Sequence, residues 1–238
     1  MRIIEAIDYE HMSSLAARFL IDKISTNPEL VLGLATGGTP RGTYKRLIED
    51  HRMNGTSYKK MTTYNLDEYV GLSPDNPNSY HTFMYENLFR ELDIPRNNIH
   101  LPNGVALDLV EECKAYEERI EKTGGIDIQL LGLGSNGHIG FNEPGTSFEA
   151  NTHLVDLTQS TREANARFFN QIDDVPREAI TMGIATIMRS REILLLVSGD
   201  TKRSALKELL NGDVRETFPA SVLNCHPHVT IIADQKAL

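Results

Sequence analysis

The residue in this chain best placed to move a proton is His138, within the run GLGSNGHIGFNEP at 132–144. An imidazole titrates near neutrality, so it can take a proton and return it within one reaction. Glu143 lies five positions on and can hold the ring's tautomer or support its charged form. The first six residues also fit G-x-G-x-x-G, but a dinucleotide loop needs its third glycine to open a helix. Here Gly140 and Pro144 interrupt any helix within two turns, and the match falls in mid-chain instead of in the first strand–helix unit. The glycines therefore read as permission for a sharply folded loop that presents His138. The bland alternative is a structural histidine.

A second group sits in NLDEYVG at 65–71, where Asp67 and Glu68 are adjacent. An extended chain sends neighbours to opposite faces, so one of the two can face a given site. A carboxylate whose surroundings raise its pKa can accept a proton from carbon. A solvated acidic turn is the competing reading. TGGTP at 36–40 supplies Thr36, Gly37, Gly38 and Thr39, with two glycines ahead of a helix start whose free N–H groups suit an oxyanion. No Gly-Lys-Ser/Thr follows, so it is not a nucleoside-triphosphate loop; a tight turn with a good cap remains the alternative. Lys202, in SGDTK, opens a helix where a cation opposes the dipole. STREANARFF at 160–169 reads as a short helix carrying Arg162 and Arg167. Each cation alone is a surface charge; together with TGGTP they can close a phosphate pocket.

The intervening sequence says what holds these groups. Buried-strand runs occur at RIIEAI, LVLGLA, MTTYNL, NIHLP, IDIQLLGL, EILLLVSG and HVTIIAD. Between them lie helical stretches: one capped by Asp8, one starting at Thr39-Pro40 and ending near Gly55, and one from Ser79 through Leu92. Two more run from Asp108 to Lys122 and from about Thr201 to Asn211. Strand–helix alternation with apolar strands predicts an α/β fold, a single-domain, doubly wound, mostly parallel, Rossmann-like sheet with helices on both faces. Ligands bind such sheets beyond the carboxyl ends of the strands, where TGGTP, NLDEYVG, GSNGHIGFNEP and SGDTK all fall.

Composition narrows the field. The 238 residues are 40% hydrophobic with a net charge of −9, which argues against nucleic acid as a main partner. Two cysteines without metal-ligand spacing read as thiols in a reducing compartment. The opening MRIIEAIDYE has acids where a signal peptide would be apolar, and no run reaches membrane-spanning length. The expectation is a cytoplasmic protein without a membrane partner.

In this order and at these spacings, TGGTP, NLDEYVGL, GxGxNGHIGFNEP, STREANARFF and SGDTK resemble the glucosamine-6-phosphate deaminase (glucosamine/galactosamine-6-phosphate isomerase) family over essentially the whole chain. The resemblance implies conversion of glucosamine 6-phosphate and water into fructose 6-phosphate and ammonia, with no metal or organic cofactor. His138 then matches the ring-opening histidine, assisted by Glu143 and Asn136, and Asp67 matches the base that takes the C2 proton to give an enolamine. Thr36 to Thr39, Arg167 and Lys202 match the phosphate-binding set, and about 157–180 matches the family's active-site lid. Two departures follow. Some relatives carry aspartate at Asn136; an amide oxygen accepting the imidazole N–H stabilises its charge less, so His138 is expected to be less basic here. The allosteric hexameric relatives have a longer C-terminus and basic residues where this chain has His153 and Val155. No activation by N-acetylglucosamine 6-phosphate is therefore expected; oligomeric state stays open, leaning to a monomer. The rivals are a 6-phosphogluconolactonase on the same fold and a non-catalytic sugar-phosphate sensor.

Overall fold

A computed structural model describes residues 1–166, 169 and 171–238. The first half of the chain forms β1 (Arg2–Ala6), α1 (Tyr9–Thr26), β2 (Val31–Leu34), α2 (Gly38–Asn54), β3 (Thr62–Asn65), β4 (Asp67–Tyr69), α3 (Tyr80–Asn87), β5 (Ile99–His100) and α4 (Leu109–Lys122). The second forms β6 (Ile128–Gly132), β7 (His153–Asp156), α5 (Gln159–Asn165), β8 (Glu178–Thr181), α6 (Ile184–Met188), β9 (Glu192–Val197), α7 (Arg203–Asn211) and β10 (Val229–Asp234).

Seven strands make one sheet in the order β1-β10-β9-β6-β2-β3-β5, every pairing parallel. Its central strands are apolar on both faces because both are covered. In β9, Leu194 and Leu196 pack with α1, α2 and α3, while Ile193, Leu195 and Val197 pack with α4, α6 and α7. The doubly wound α/β architecture is therefore as the sequence predicts. Helix starts obey their caps: Asp8 Oδ1 accepts from His11 N at 2.8 Å, Ser79 Oγ from Thr82 N at 3.0 Å and Asp108 Oδ1 from Glu111 N at 2.9 Å. Gly55, at φ 75°, closes α2 as expected. Both cysteines are free, Cys113 buried and Cys225 exposed. Among the described residues no helix is long and apolar enough to cross a membrane.

Several local expectations need correction. A second sheet, β4-β8-β7, is antiparallel and was not foreseen. Its strands of three and four residues are too short to show a period. MTTYNL and DEY are consequently two strands in two sheets. Leu66 joins them, its N–H donating to Leu34 O at 3.0 Å and its carbonyl accepting from Met182 N at 2.6 Å. Thr39 is not the N-cap of α2: Gly37, at φ 95°, precedes a helix that starts at Gly38, and Pro40 falls inside the first turn, where its missing N–H costs nothing. The Ser79 helix stops at Asn87, because Leu88 turns out to φ −148°, and a single 3₁₀ turn, Phe89–Glu91, follows. Lys202 closes a 3₁₀ turn ahead of α7 instead of lying within the helix.

Candidate active site

Because the large sheet is parallel, the loops after β2, β3, β6 and β9 leave from one edge. They enclose a cavity of about 390 Å³. Asp67, Asn136 and His138 line it, and so do Thr36 to Thr39 and Lys202. Glu143 stands behind the wall, bonded to Asn136. Asp67 and His138, far apart in sequence and rooted in different sheets, thus open onto one space.

The glycine-rich loop does what its composition allows. Gly134 N donates to His138 O at 2.9 Å and Gly137 N to Gly134 O at 3.1 Å, folding the loop back on itself. A Cβ on Gly134 would lie 2.4 Å from the His138 ring, so glycine is required where the imidazole lies over the backbone. Gly137 adopts φ 87°, a conformation that side chains resist. No helix follows, in keeping with the exclusion of a dinucleotide loop.

Around the imidazole, one expectation fails. The Asn136 oxygen accepts not from the ring but from the His138 backbone N–H at 3.2 Å, and the amide nitrogen donates to Glu143 Oε2 at 2.7 Å. Glu143 Oε2 lies 3.8 Å from His138 Nδ1, beyond a hydrogen bond, so it acts on the ring as a nearby charge. Burial pushes the His138 pKa down; the Glu143 charge opposes this and the Lys202 charge adds to it. The ring is therefore neutral at physiological pH, with one nitrogen to donate and one to accept. The ring contact from which a lower basicity than in aspartate-bearing relatives was expected is therefore not made; what lowers the pKa of His138 below the ordinary imidazole value is first its burial. Asn136→Asp would set two carboxylates at hydrogen-bond distance, where they must share a proton. While the pair shares its proton it carries one charge, as Glu143 does alone, so NMR titration of that variant is expected to show one carboxyl titrating above the usual range and His138 shifted upward only as far as that carboxyl is ionised.

Asp67 is 5% exposed, which excludes the solvated-turn reading. Burial, and then the adjacent Glu68 charge, push its pKa up to about 7, opposed by the Thr36 hydroxyl, which donates to Oδ1 at 3.4 Å. Glu68 points away, as alternation requires. It is saturated by the backbone N–H groups of Tyr69, Tyr80 and His81, each at 2.9 Å, and so anchors the start of α3. Gly140, at φ 59°, lies beside the carboxylate: a Cβ there would come 3.1 Å from Thr181 Oγ1 and into van der Waals contact, at 3.7 Å, with Asp67 Oδ2.

In the cavity wall α2 begins without a side-chain cap, leaving the N–H groups of Gly38 and Thr39 at its positive end. Thr36 is turned toward Asp67, so its hydroxyl is engaged by that carboxylate. Lys202 reaches the same cavity from the turn after β9. That turn is fixed by Asp234, which accepts from Ser198 Oγ at 2.5 Å and Gly199 N at 3.1 Å. Arg167 lies outside the described residues. Arg162 is not part of the site, because its guanidinium donates to Ile172 O at 3.0 Å and Val175 O at 3.2 Å.

Among the described cavity residues that the sequence did not single out are Tyr80, Thr161 and Asn165. Tyr80 follows the Ser79 cap directly, and Thr161 and Asn165 stand four apart on α5 behind its Thr158 cap. That spacing was the available signal, overlooked beside the two arginines.

Residues 9–232 match the family model described as glucosamine-6-phosphate isomerases/6-phosphogluconolactonase. The chain is 59% identical to a glucosamine-6-phosphate deaminase of Geobacillus sp. (strain WCH70), covering all of this chain and 95% of the relative. It is 52% identical to glucosamine-6-phosphate deaminase 1 of Bacillus subtilis (strain 168), covering all of this chain and 98% of the relative. Among solved structures, a monomeric glucosamine-6-phosphate deaminase superimposes with a TM-score of 0.98 at 52% identity, over all of this chain and 98% of that one. A 6-phosphogluconolactonase of Trypanosoma brucei shares the fold, with a TM-score of 0.80 at 19% identity over 99% and 97% of the two chains.

Proposed function

We infer the activity from one premise: the chain belongs to the family of glucosamine-6-phosphate isomerases and 6-phosphogluconolactonases. Within it, this protein is an enzyme that converts glucosamine 6-phosphate and water into fructose 6-phosphate and ammonia. The observation that carries the reading is the convergence of a carboxylate poised near neutrality and a neutral imidazole on one cavity.

The chemistry divides between them. His138 carries a proton from the anomeric hydroxyl to the ring oxygen, opening the pyranose to an aldehyde, with Glu143 stabilising the imidazolium that forms in passing. Asn136 holds Glu143 and the histidine backbone in register. Asp67 takes the C2 proton, leaving the enolamine, and returns a proton to C1 to give the ketimine. Water then adds to C2 and ammonia leaves. The phosphate rests on the N–H groups at the start of α2, held by Lys202 and Arg167. The segment at about 157–180, which carries α5 and Arg167, closes over the enolamine as a lid and keeps water from it. The enzyme works in the cytoplasm as a monomer with hyperbolic kinetics and no response to N-acetylglucosamine 6-phosphate.

The test is an incubation of purified protein with glucosamine 6-phosphate and no added metal. Ammonia and fructose 6-phosphate appearing in equal amounts support the reading; neither appearing overturns it. Lys202→Met is expected to raise KM by about 10-fold with a much smaller change in kcat, because a phosphate contact made equally in ground and transition states is uniform binding. Steady-state kinetics, with inorganic phosphate as a competing ligand, check this.

A further inference from the structure

Glu143 is held by two different parts of the molecule. Its Oε2 accepts from Asn136 on the histidine's own loop at 2.7 Å. Its Oε1 accepts from Thr161 Oγ1 in a short hydrogen bond. Thr161 is buried in the first turn of α5, where its N–H donates to the Thr158 cap at 3.2 Å, and Thr158 Oγ1 itself lies 3.5 Å from Oε1. The first turn of α5 thus brings two hydroxyls to a carboxylate of another element. A carboxylate accepting at both oxygens is fixed in place, whereas one released from Thr161 keeps only Asn136 on Oε2 and the longer Thr158 contact on Oε1, and can pivot across the 3.8 Å gap that separates Oε2 from His138 Nδ1.

We propose that Thr161 is a positioning residue for ring opening, its hydroxyl keeping the Glu143 carboxylate a fixed charge behind His138 and out of direct hydrogen bonding to the ring. This rests on the deaminase reading above. The distinction matters chemically. A carboxylate that closes the gap and accepts from Nδ1–H stabilises imidazolium and holds the proton that the ring must pass on. The charged groups acting on the imidazole are Glu143 from its own loop and Lys202 from the turn after β9, and Asp67 of β4 lines the same cavity. Thr161 is neutral, so its removal changes no charge, only where the Glu143 charge sits. The site also ties catalysis to α5: moving the helix moves the carboxylate.

Thr161→Val keeps the shape and deletes the donor; Thr161→Ser keeps the donor. Expected for the valine variant are a kcat lowered about 10-fold, KM within about twofold of wild type, and an upward shift of the His138 titration read by NMR without substrate. The serine variant should restore both. An unshifted titration overturns the proposal, including the case in which only KM rises, which would make Thr161 a wall contact. Thr161→Ala carries the same readouts should the valine variant not fold. Wild-type protein that releases no ammonia would sink the deaminase reading, while the substrate-free titration still decides the role of Thr161.

Discussion

Asp67→Asn is expected to abolish exchange of the C2 proton of glucosamine 6-phosphate with solvent and to lower deamination by roughly 10³-fold or more. The amide fills the same space and can still receive the Thr36 hydroxyl, but it has no lone pair basic enough to take a proton from carbon. Incubation in D₂O, with C2 deuteration read by NMR, separates this step from the rest. Wild-type activity should rise with pH through about 7, as the base ionises. The same substitution is expected to stabilise the fold. A carboxyl raised from 3.8 to about 7 prefers to be neutral in the folded protein, by about 4 kcal/mol in full. Below 3.8 it is neutral in both states. Stability is lost as pH rises between the two values, because the unfolded chain gives up its proton first, and the loss is complete above the folded value. The asparagine carries no such loss. Denaturant unfolding should show Asp67→Asn more stable than wild type by about 1–3 kcal/mol at pH 8, with a smaller gain at pH 5. A variant both less active and less stable would mean that the buried carboxylate is structural.

His138→Gln is expected to lower kcat by about 10²- to 10³-fold while leaving Asp67 able to exchange the C2 proton of substrate already open. Sugars open slowly in water without help, so activity should fall to the rate at which solution supplies the aldehyde. An acyclic inhibitor such as a 2-amino-2-deoxyalditol 6-phosphate should bind the variant nearly as well as wild type, because it needs no ring opening. Equal losses on cyclic and acyclic ligands would assign His138 to binding.

The sequence disclosed the large sheet because its strands are apolar on both faces and its helices carry Asp8, Ser79, Asp108 and Gly55 at their ends. The direction of those strands alone assigns four loops to one edge. The small sheet stayed hidden for a physical reason: a three-residue strand such as Asp67–Tyr69 is defined by its partners, and these lie more than a hundred residues away. In the site, residue types located Asp67 and His138, since carboxylate and imidazole are scarce means of proton transfer. They did not disclose orientation. That Asn136 would turn its oxygen to the backbone and its nitrogen to Glu143 depends on the fold of the loop, not on its composition. Thr161 was unreadable in the same way, because a threonine acquires a role only from what its hydroxyl meets.

The joint at Leu66 has a bearing on divergence. Asp67, the proposed carbon-acid base, is carried by the three-stranded sheet, whereas the His138 loop and the proposed phosphate anchor at the start of α2 are rooted in the seven-stranded one. A lineage that lost the carboxylate from β4 would still seat a phosphorylated sugar and deliver an imidazole to its reactive end. Such a descendant would be left with reactions that break no C–H bond, so one scaffold can change its trade by altering a single short strand.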